Sequence, residues 1–479
     1  MRILIFHGYL LRGTGSNIYN ASLAPALARL GHEVHLLCQD RNPPSLEGVE
    51  VHVPDIGRLL PVYVKDPYEG FEVKAFGELS EEELERYVEA NVVAVREVAE
   101  GLGGVDAALA NHLVMGPAIL ARAGVAPFAA KVHGSALEYT VKPHPRFLPW
   151  AREGMEAASG VLVGSRHTAE SLWATLPDLE ALPQKTRLGP PGVDTDLFHP
   201  PLCGWRAECD TGVEPGAHSV RQDPRSEAFG NVVPRNAGPR IVFVGKLIVS
   251  KGVDLLLAAW PLVRAANPDA RLEVAGYGEY EAGLRRLLAA LERGDLEGAR
   301  EVARLGRGLE GGPSEPLPIL SAFLDGPPPG YAEAARRAAG SVDFVGRLEH
   351  WEVAKRLPGA EALVMPSTFP EAFGMVAAEA AACGVLPVAA DHSGMREVSR
   401  QLSAALPPEA ASLTSFPVGA GAVEAIAERL NAWLALPEER REAARRSLVE
   451  TAGRLWSWEG VARDAVAAAR GHLDRLPLA

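Results

Sequence analysis

The 479-residue chain has 47% hydrophobic and 23% charged residues, which is typical of globular proteins and excludes global disorder. A single core rarely grows beyond about 250–300 residues, so this length predicts two domains. The formal net charge is −13, from 48 Lys and Arg against 61 Asp and Glu. Because a protein that neutralises many phosphates carries a basic excess, we do not expect duplex nucleic acid as a partner.

The first residues, MRILIFHGYLLRGTGSN, predict a buried strand and a turn, and not a signal peptide. The apolar run is short, contains His7 and leads into a Gly/Ser/Asn turn where a signal peptide has an A-x-A cleavage site. No uncharged apolar run reaches 18 residues, so no transmembrane helix is expected. Four cysteines do not make a disulfide scaffold at this length, and a reducing, cytoplasmic location is the simplest expectation.

Residues 1–200 alternate short apolar runs with helical patterns. A helical pattern covers 17–31, and the apolar runs predict strands at 2–6, 33–38, 106–110, 129–133 and 160–165. Apolar strands separated by helices indicate a parallel sheet covered on both faces. We therefore predict one doubly wound α/β domain over residues 1–200.

Residues 201–238 contain many turn-forming residues without sustained periodicity, which predicts a linker or surface insertion. Within this stretch, Cys203 and Cys209 lack the spacing of a zinc site. Cys38 and Cys383, in contrast, sit in apolar stretches typical of core residues.

The alternation restarts in a second predicted α/β domain, residues 239–457. A Gly- and Pro-rich stretch at about 294–340 interrupts it, and the pattern is helical from residue 420 on. The expected strands are 240–245, 271–276, 342–346, 362–367 and 386–390. Ligands of open parallel sheets bind beyond the carboxyl ends of the strands, so the predicted site is the cleft between two such edges.

Lys246 and Lys251 lie in one loop between a predicted strand and a helix. Two ammonium groups beside a helix N-terminus make an anion site suited to a diphosphate. The alternative is a pair of solvated surface lysines.

The segment MPSTFPEAFGMVAAEAAACG (365–384) predicts a helix that starts at Pro370 and stops at Gly384. Glu371 and Glu379 would then lie about 12 Å apart along one helix. This separation suits a ligand with two hydroxyl-rich ends, such as a nucleotide sugar, because a carboxylate accepts two hydrogen bonds at once. The alternative is a helix-dipole partner and a surface charge.

Four further features lie where predicted strands end. Gly13 and Gly15 precede a helix and allow a phosphate to approach the backbone, although the third glycine of a dinucleotide-binding motif is missing. His133 and the pair Asn111-His112 follow strands, and Gly276 follows another in a Gly-Tyr-Gly turn. Structural histidines and simple turns remain the alternatives.

Nine short motifs follow one another along the chain: GTGSN (13–17), NH (111–112), VHGS (132–135), VGSRHTAESL (163–172), PPGVDTDLFHP (190–200), VGKLIVSKGVD (244–254), VAGYGE (274–279), DFVGRL (343–348) and PEAFGMVAAEA (370–380). In this order they resemble the retaining glycosyltransferases of family 4. The resemblance implies the GT-B fold, two doubly wound Rossmann-like domains facing across a cleft. It spans nearly the whole chain, apart from 201–238 and 294–340.

The resemblance implies that the second domain binds a nucleoside-diphosphate sugar and the first domain binds the acceptor. Lys246 and Lys251 would neutralise the leaving diphosphate. Glu371 would contact the hydroxyls of the sugar ring, Glu379 those of the ribose, and His133 would hydrogen-bond the transferred sugar.

Further positions follow from the same resemblance. The final helix, in 458–479, would cross back to the first domain. The expected donor-side groups are Gly13, Gly15, Gly276 and the backbone amides of Phe373, Gly374 and Met375, and the acceptor-side candidates are Asn111, His112 and Tyr139.

The chemistry implied by this family is attack by an acceptor hydroxyl on the face that the nucleotide leaves. The departing phosphate takes the proton, and neither a metal ion nor a cofactor is expected. This chain departs from the family at Lys246, where Arg is common. Arginine can bind a phosphate through two parallel hydrogen bonds, which lysine cannot do. It also has Gly-Thr-Gly at 13–15 where two adjacent glycines are more usual.

Two other classes stay open. One is a different nucleotide-sugar enzyme of the same architecture, such as an epimerase or a phosphorylase-like enzyme. The other is a non-catalytic nucleotide-sugar-binding scaffold that kept the fold and lost turnover.

The acceptor is expected to be a carbohydrate, a small molecule or a lipid-linked sugar, with at most peripheral membrane contact. The acidic stretch 80–101 would repel anionic headgroups. The basic and aromatic stretch 139–154 is the candidate for membrane docking, but we favour its interpretation as a loop lining the acceptor cleft.

Overall fold

The computed structural model describes residues 1–13, 15–63, 68, 70–201 and 238–479. The predicted linker 201–238, with Cys203 and Cys209, lies almost entirely outside these residues. Cys38 and Cys383 are buried free thiols, which confirms the prediction that they belong to the core.

The first half of the chain forms a parallel sheet. Its strands are β1 (Arg2–Phe6), β2 (Glu33–Leu37), β3 (Val49–His52), β6 (Ala107–Asn111), β7 (Phe128–Val132), β8 (Gly160–Val163) and β9 (Thr186–Leu188), and β4 (Leu59–Val62) pairs separately with β5 (Glu72–Ala75). The sheet order is β3-β2-β1-β6-β7-β8-β9. β6 and β7 are buried at every residue, because helices cover both faces of the sheet.

The helices of this half are α1 (Gly15–Arg29), α2 (Glu81–Gly101), α3 (Gly116–Arg122), α4 (Leu148–Ala157), α5 (Arg166–Thr175) and α6 (Leu182–Lys185). α2 begins at a capping box, in which Ser80 accepts from the amide of Glu83 and the Glu83 side chain accepts from the amide of Ser80. Its apolar side joins α3 and α4 on one face of the sheet, while α1 lies on the other.

The second half repeats this design. Its strands are β10 (Arg240–Val244), β11 (Arg271–Ala275), β12 (Val342–Gly346), β13 (Ala362–Met365), β14 (Leu386–Ala390) and β15 (Ser415–Phe416), in the order β12-β11-β10-β13-β14-β15. Its helices are α7 (Val253–Ala266), α8 (Glu281–Glu292), α9 (Leu296–Leu305), α10 (Pro318–Asp325), α11 (Tyr331–Arg337), α12 (His350–Arg356), α13 (Met375–Ala382), α14 (Ser393–Ser403), α15 (Pro408–Ala411), α16 (Ala422–Ala435) and α17 (Glu438–Leu455). A final helix, α18, spans Trp458–Ala469.

Every strand predicted from an apolar run is present, with ends that differ from the prediction by at most two residues. The α/β prediction with two doubly wound parallel sheets is therefore confirmed. The strands without a prediction are β3, β4, β5, β9 and β15. All are short. β3 and β5 are only partly buried and lack the continuous apolar run of a central strand, whereas β4 is apolar but pairs outside the main sheet.

The prediction that residues 294–340 interrupt the second domain as an insertion is wrong. The segment forms α9, α10 and α11, and their apolar side chains join the core of the second half. Val302, Phe323 and Tyr331 are buried, and the Tyr331 hydroxyl donates to the carbonyl of Ala258 in α7 at 2.7 Å. The Gly and Pro residues mark the ends of three short helices, which is why no long period is visible in the sequence.

Helix α18 returns to the first half of the chain, where it packs on α1 and across β6, β7 and β8. Trp458 anchors it: its ring lies 5.4 Å from that of Tyr19 in α1. Gly192 leaves room for the indole, since a Cβ atom there would lie 2.5 Å from Trp458 Cδ2. One face of the first sheet is therefore covered by a helix that follows the whole second half in sequence.

Among the described residues, no helix is long and apolar enough to span a lipid bilayer.

Trp458→Ala should lower the free energy of unfolding by about 3–5 kcal/mol, because the truncation leaves a cavity between α1 and α18. Urea denaturation followed by circular dichroism measures the change. Trp351→Ala is the matched control, because the Trp351 side chain is 47% exposed and its loss should cost about 0.5 kcal/mol or less. Equal losses for the two variants would contradict an anchoring role for Trp458.

Candidate functional site

The carboxyl ends of the two sheets face each other and are in contact across a cleft. A Cβ atom on Gly134, after β7, would lie 3.1 Å from the Cβ of Ala372, after β13. At the mouth of the cleft, Tyr139 stacks on Phe369 with ring centroids 5.6 Å apart and planes 17° apart. The cleft is therefore a narrow space bounded by strand-end loops of both halves.

Glu397 in α14 joins the two halves through the N-terminus of α5. Its carboxylate accepts from the backbone amides of Arg166 at 2.8 Å and His167 at 3.1 Å. These amides have no partner within their own helix, so a negative charge from the opposite half both satisfies them and complements the helix dipole.

Lys251, in the loop after β10, and Glu371, in the loop after β13, form an ion pair. Lys251 Nζ donates to Glu371 Oε1, and Ser367 Oγ donates to the same oxygen at 2.7 Å. Burial acts to raise the pKa of Glu371, but the nearby Lys251 charge and these hydrogen bonds outweigh it, so the net pKa lies below its usual value. Glu371 is therefore ionised at neutral pH.

Gly252 allows the loops that carry this ion pair to approach. It adopts a φ of +66°, and a Cβ atom there would lie 2.0 Å from the carbonyl oxygen of Pro366. Next to it, the amide of Thr368 donates to the carbonyl of Ser250 at 2.9 Å. Only glycine has both the conformation and the space that this contact requires.

The prediction of a helix start at Pro370 is wrong, because α13 begins at Met375. Gly374, with a φ of +102°, separates the helix from the loop before it. Glu371 therefore lies in that loop, while Glu379 is buried in the second turn of α13. The ring of Phe373 belongs to the core and packs against Trp456 at 5.6 Å, so its backbone is the part that borders the cleft.

The N-termini of α1 and α13 meet across the cleft. A Cβ atom on Gly15, the first residue of α1, would lie 3.6 Å from Met375 Sδ, in the first residue of α13. Both helix ends present backbone amides and the positive end of a dipole to the same space. Gly13 precedes α1 with a φ of +91°, and Thr14 lies outside the described residues.

Glu379 is held by a histidine that the sequence analysis did not single out. His350 Nε2 lies 2.8 Å from Glu379 Oε1. Burial acts to lower the pKa of His350, but Glu379, with a smaller contribution from Asp194, raises it above its usual value.

Lys246 and Gly276 lie in adjacent loops after β10 and β11. A Cβ atom on Gly276 would lie 1.9 Å from the carbonyl oxygen of Gly245, so this glycine is required by the contact between the loops. Lys246, next to Gly245, is half-buried at the edge of the cleft.

His133 is positioned by a buried chain of amides. Asn111 Nδ2 donates to Asn20 Oδ1 at 2.8 Å, and Asn111 Oδ1 lies 2.8 Å from His133 Nε2. Because Asn111 uses its amide hydrogens elsewhere, His133 donates from Nε2 and keeps the lone pair on Nδ1. Burial, aided by the neighbouring His112 and Lys131, lowers the pKa of His133 well below its usual value, so the ring is neutral.

His112 lies directly beside His133, with ring centroids 4.9 Å apart. It has a φ of +69°, is buried, and neither of its ring nitrogens has a hydrogen-bond partner among the described residues. Burial, with a smaller contribution from His7, lowers its pKa well below the usual value. Tyr63 and Tyr9 pack against the ring at 4.4 and 5.5 Å, so His112 belongs to an aromatic wall.

The structure thus brings the predicted residues together around one cleft and adds others that the sequence analysis missed. Arg347, after β12, lies near the Gly13 loop, since a Cβ on Gly13 would be 3.7 Å from Arg347 Nη2. Its position directly after a predicted strand, inside the motif DFVGRL (343–348), was a signal for it. Asn20 and Glu397 have no comparable signal, because their roles depend on contacts distant in sequence.

The basic side chains of 139–154 are paired within the protein. Lys142 binds Glu138 at 2.8 Å, and Arg146 donates to the Phe76 and Leu79 carbonyls at 2.9 and 2.8 Å. The segment is also mostly helical and runs into α4, so the prediction of a loop here is wrong.

Family models match most of the chain. The model for Glycosyltransferase Family 4 matches residues 13–197, and two models for Glycosyl transferases group 1 match residues 238–307 and 332–448. The chain belongs to the group 1 and family 4 glycosyltransferases. The family 4 resemblance predicted from the motifs, and with it the prediction of a glycosyltransferase, is thereby confirmed.

Curated relatives of this glycosyltransferase cover most of its length. It is 26% identical over 379 residues to a GDP-mannose-dependent monoacylated alpha-(1-6)-phosphatidylinositol monomannoside mannosyltransferase from Corynebacterium glutamicum, covering 77% of this chain and 76% of that protein. It is 26% identical over 417 residues to a D-inositol 3-phosphate glycosyltransferase from Jonesia denitrificans, covering 82% and 79%. The fold is GT-B, as in sucrose-phosphate synthase from Thermosynechococcus elongatus, with a TM-score of 0.63, 19% identity and 99% of both chains covered.

Lys251→Met should leave the half-buried Glu371 carboxylate without its counter-charge and lower the free energy of unfolding by about 1–3 kcal/mol at neutral pH. In this variant the pKa of Glu371 rises, so stability should fall as the pH rises through that value, because the folded state keeps a proton that the unfolded state releases. The wild-type pair has the opposite sign, since its contribution is lost as the pH falls through the depressed pKa. Urea titrations from about pH 3 to about pH 8 measure both slopes, the wild-type slope below about pH 4.5 and the variant slope above it.

The double variant Lys251→Met/Glu371→Gln is the control. Without the carboxylate it should recover most of the lost stability and show no such pH slope. A double variant as unstable as the single one would show that the ion pair is not what stabilises these loops.

Proposed function

We propose that this glycosyltransferase moves a sugar from a nucleoside-diphosphate sugar to an acceptor hydroxyl, with retention at the anomeric carbon and without a divalent metal ion. The observation that carries the proposal is the meeting of the α1 and α13 N-termini beside the Lys251–Glu371 pair. Two helix dipoles and nearby cations make a site for the two negative charges of a diphosphate.

The diphosphate is proposed to lie between Gly15 and the Gly374–Met375 amides, with Lys246 and Lys251 neutralising its charge. Lys246 lacks the two-pronged guanidinium that is common at this position of the family. Arg347, opposite Gly13, supplies a guanidinium from another loop and is proposed to share this task.

Glu379 is proposed to bind the ribose hydroxyls, since a buried carboxylate accepts two hydrogen bonds from a vicinal diol. In the structure His350 occupies one of its oxygens. Ribose binding would therefore replace or share the His350 hydrogen bond, so that the buried Glu379 carboxylate always has a hydrogen-bond partner.

The transferred sugar is proposed to lie between Glu371 and His133. Glu371 accepts hydrogen bonds from ring hydroxyls, and the lone pair on His133 Nδ1 accepts another. Since His133 is neutral and Asn111 fixes its tautomer, it positions the sugar without adding a positive charge beside the anomeric carbon.

In the reaction, the bond from the anomeric carbon to the phosphate oxygen breaks while the acceptor oxygen approaches the same face. The acceptor proton passes to the departing phosphate oxygen, so no protein base is needed. The cations and helix termini stabilise the charge that grows on the leaving diphosphate, and one such preorganised donor is worth about 10²–10³ in rate.

Thermal-shift screening against UDP, GDP, ADP and TDP and their sugar conjugates, with EDTA or with magnesium, tests the donor site. GDP and GDP-mannose come first, because the Corynebacterium relative is named for GDP-mannose. A ligand at 100 times its Kd adds about 2.7 kcal/mol to stability, so one nucleotide should raise Tm without metal. Glu379→Gln should weaken that nucleotide about 10–100-fold, because a charge-assisted hydrogen bond is lost.

Glu439→Gln, an exposed carboxylate on α17, is the matched control and should leave the affinity unchanged. With the donor identified, proton NMR of the first product assigns its anomeric configuration. An inverted product would contradict retention, and a rate abolished by EDTA would contradict metal independence. A protein that binds the nucleotide sugar without hydrolysis or transfer, and equally after Lys251→Ala, would favour the scaffold.

For the acceptor we propose a soluble sugar or polyol, or a lipid-linked one contacted only transiently, at an aromatic wall of Tyr9, Tyr63 and His112. Asn111 and Tyr139 border the same side of the cleft. We also propose a cytoplasmic location, because the described cysteines Cys38 and Cys383 are unpaired and buried.

Sedimentation with vesicles that contain anionic lipids should leave most of the protein in the supernatant at physiological salt. The reason is that α2 exposes Glu81, Glu82, Glu85 and Glu89, while the basic side chains of 139–154 are paired internally. Zwitterionic vesicles are the control. Strong co-pelleting with anionic vesicles alone would contradict transient contact.

A further inference from the structure

The outer edge of the first sheet carries a group of His and Glu side chains that the transfer reaction does not use. His35 pairs in register with Glu50, and Leu37 pairs with His52, so the three polar residues lie on one face of β2 and β3. We call His35, Glu50 and His52 the edge cluster. His35 is buried, His52 half-buried and Glu50 open to solvent.

The edge cluster directs its donor atoms to one point. His35 Nδ1 lies 3.0 Å from His52 Nε2 and 3.5 Å from Glu50 Oε2, and His52 Nε2 lies 3.8 Å from Glu50 Oε1. Around a tetrahedral zinc ion with bonds of about 2.0–2.1 Å, neighbouring ligand atoms lie about 3.3–3.4 Å apart. Small side-chain movements would therefore give each of the three atoms a metal bond.

A second layer of contacts orients His35. Its Nε2 lies 3.2 Å from Glu33 Oε1, and Arg2 Nε donates to the same oxygen at 2.9 Å. Because the carboxylate accepts from Nε2–H, the lone pair of His35 is on Nδ1, facing His52. Histidine ligands of zinc characteristically donate their other nitrogen to a carboxylate in this way.

We propose that the edge cluster binds one zinc-type divalent transition metal through His35 Nδ1, His52 Nε2 and the Glu50 carboxylate. The fourth position lies on the solvent side, where Glu50 is exposed, and is open to water. Two imidazoles and a carboxylate suit zinc and not magnesium, which prefers six oxygen ligands.

The metal would join the outermost strand β3 to β2 and so protect the edge of the sheet. His35 lies in the middle of β2, whereas the cleft is built from residues beyond the strand ends. The site is therefore separate from sugar transfer, and chelation should change stability without changing the transfer rate.

Zinc titration by calorimetry tests the proposal in a Cys203→Ser/Cys209→Ser parent, since thiolates also bind zinc. The parent should bind one equivalent of Zn²⁺, and His52→Gln should weaken that binding at least tenfold. Glu33→Gln should weaken it about 10–100-fold, because His35 loses its orienting partner. His472→Gln, an exposed histidine outside the cluster, should bind as the parent does.

Two further measurements complete the test. Co²⁺ bound to the parent should give the visible absorption of a tetrahedral site, and His52→Gln should lose it. Added zinc should raise Tm in the parent, EDTA should reverse the rise, and neither should change Tm in His52→Gln. Zinc binding that is equally tight in parent and His52→Gln, or no binding by the parent, would overturn the proposal.

Discussion

Lys251 and Glu371 meet at the carboxyl ends of β10 and β13, where burial would penalise the Glu371 carboxylate without its partner. Their attraction determines where the two loops lie, and Gly252 is required because the loops approach so closely. The same lysine faces the proposed diphosphate and the same glutamate faces the proposed sugar. The ion pair thus keeps Glu371 ionised and both side chains in place, and the proposed donor binding redistributes their partners without requiring new ionisation.

On the first half's side of the cleft, the polar side chains described above are neutral. His133 and His112 both have lowered pKa values, and Asn111 and Asn20 fix the orientation of His133 through uncharged hydrogen bonds. Charge is therefore concentrated on the donor side. This asymmetry suits a reaction in which negative charge grows on the leaving group while the anomeric carbon becomes positive.

The sequence is informative where one local pattern determines the structure. Central strands such as β14 and, up to its last residue Asn111, β6 are apolar, and their positions were predicted within one residue. The start of α13 was missed because a positive φ at Gly374, and not the proline at 370, separates loop from helix. The bond from Glu397 to α5 was beyond prediction, since its partners are about 230 residues apart and only the folded chain brings them together.

Helix α18 has a consequence for the order in which the protein is made. The surface of β6, β7 and β8 that it covers belongs to residues synthesised at the start of the chain, whereas Trp458 emerges only after the second half has left the ribosome. Until then the nascent first half exposes an apolar face around Tyr19 and Leu162. During translation that face is a natural surface for chaperones, and the first half becomes complete only after the second half has had time to fold.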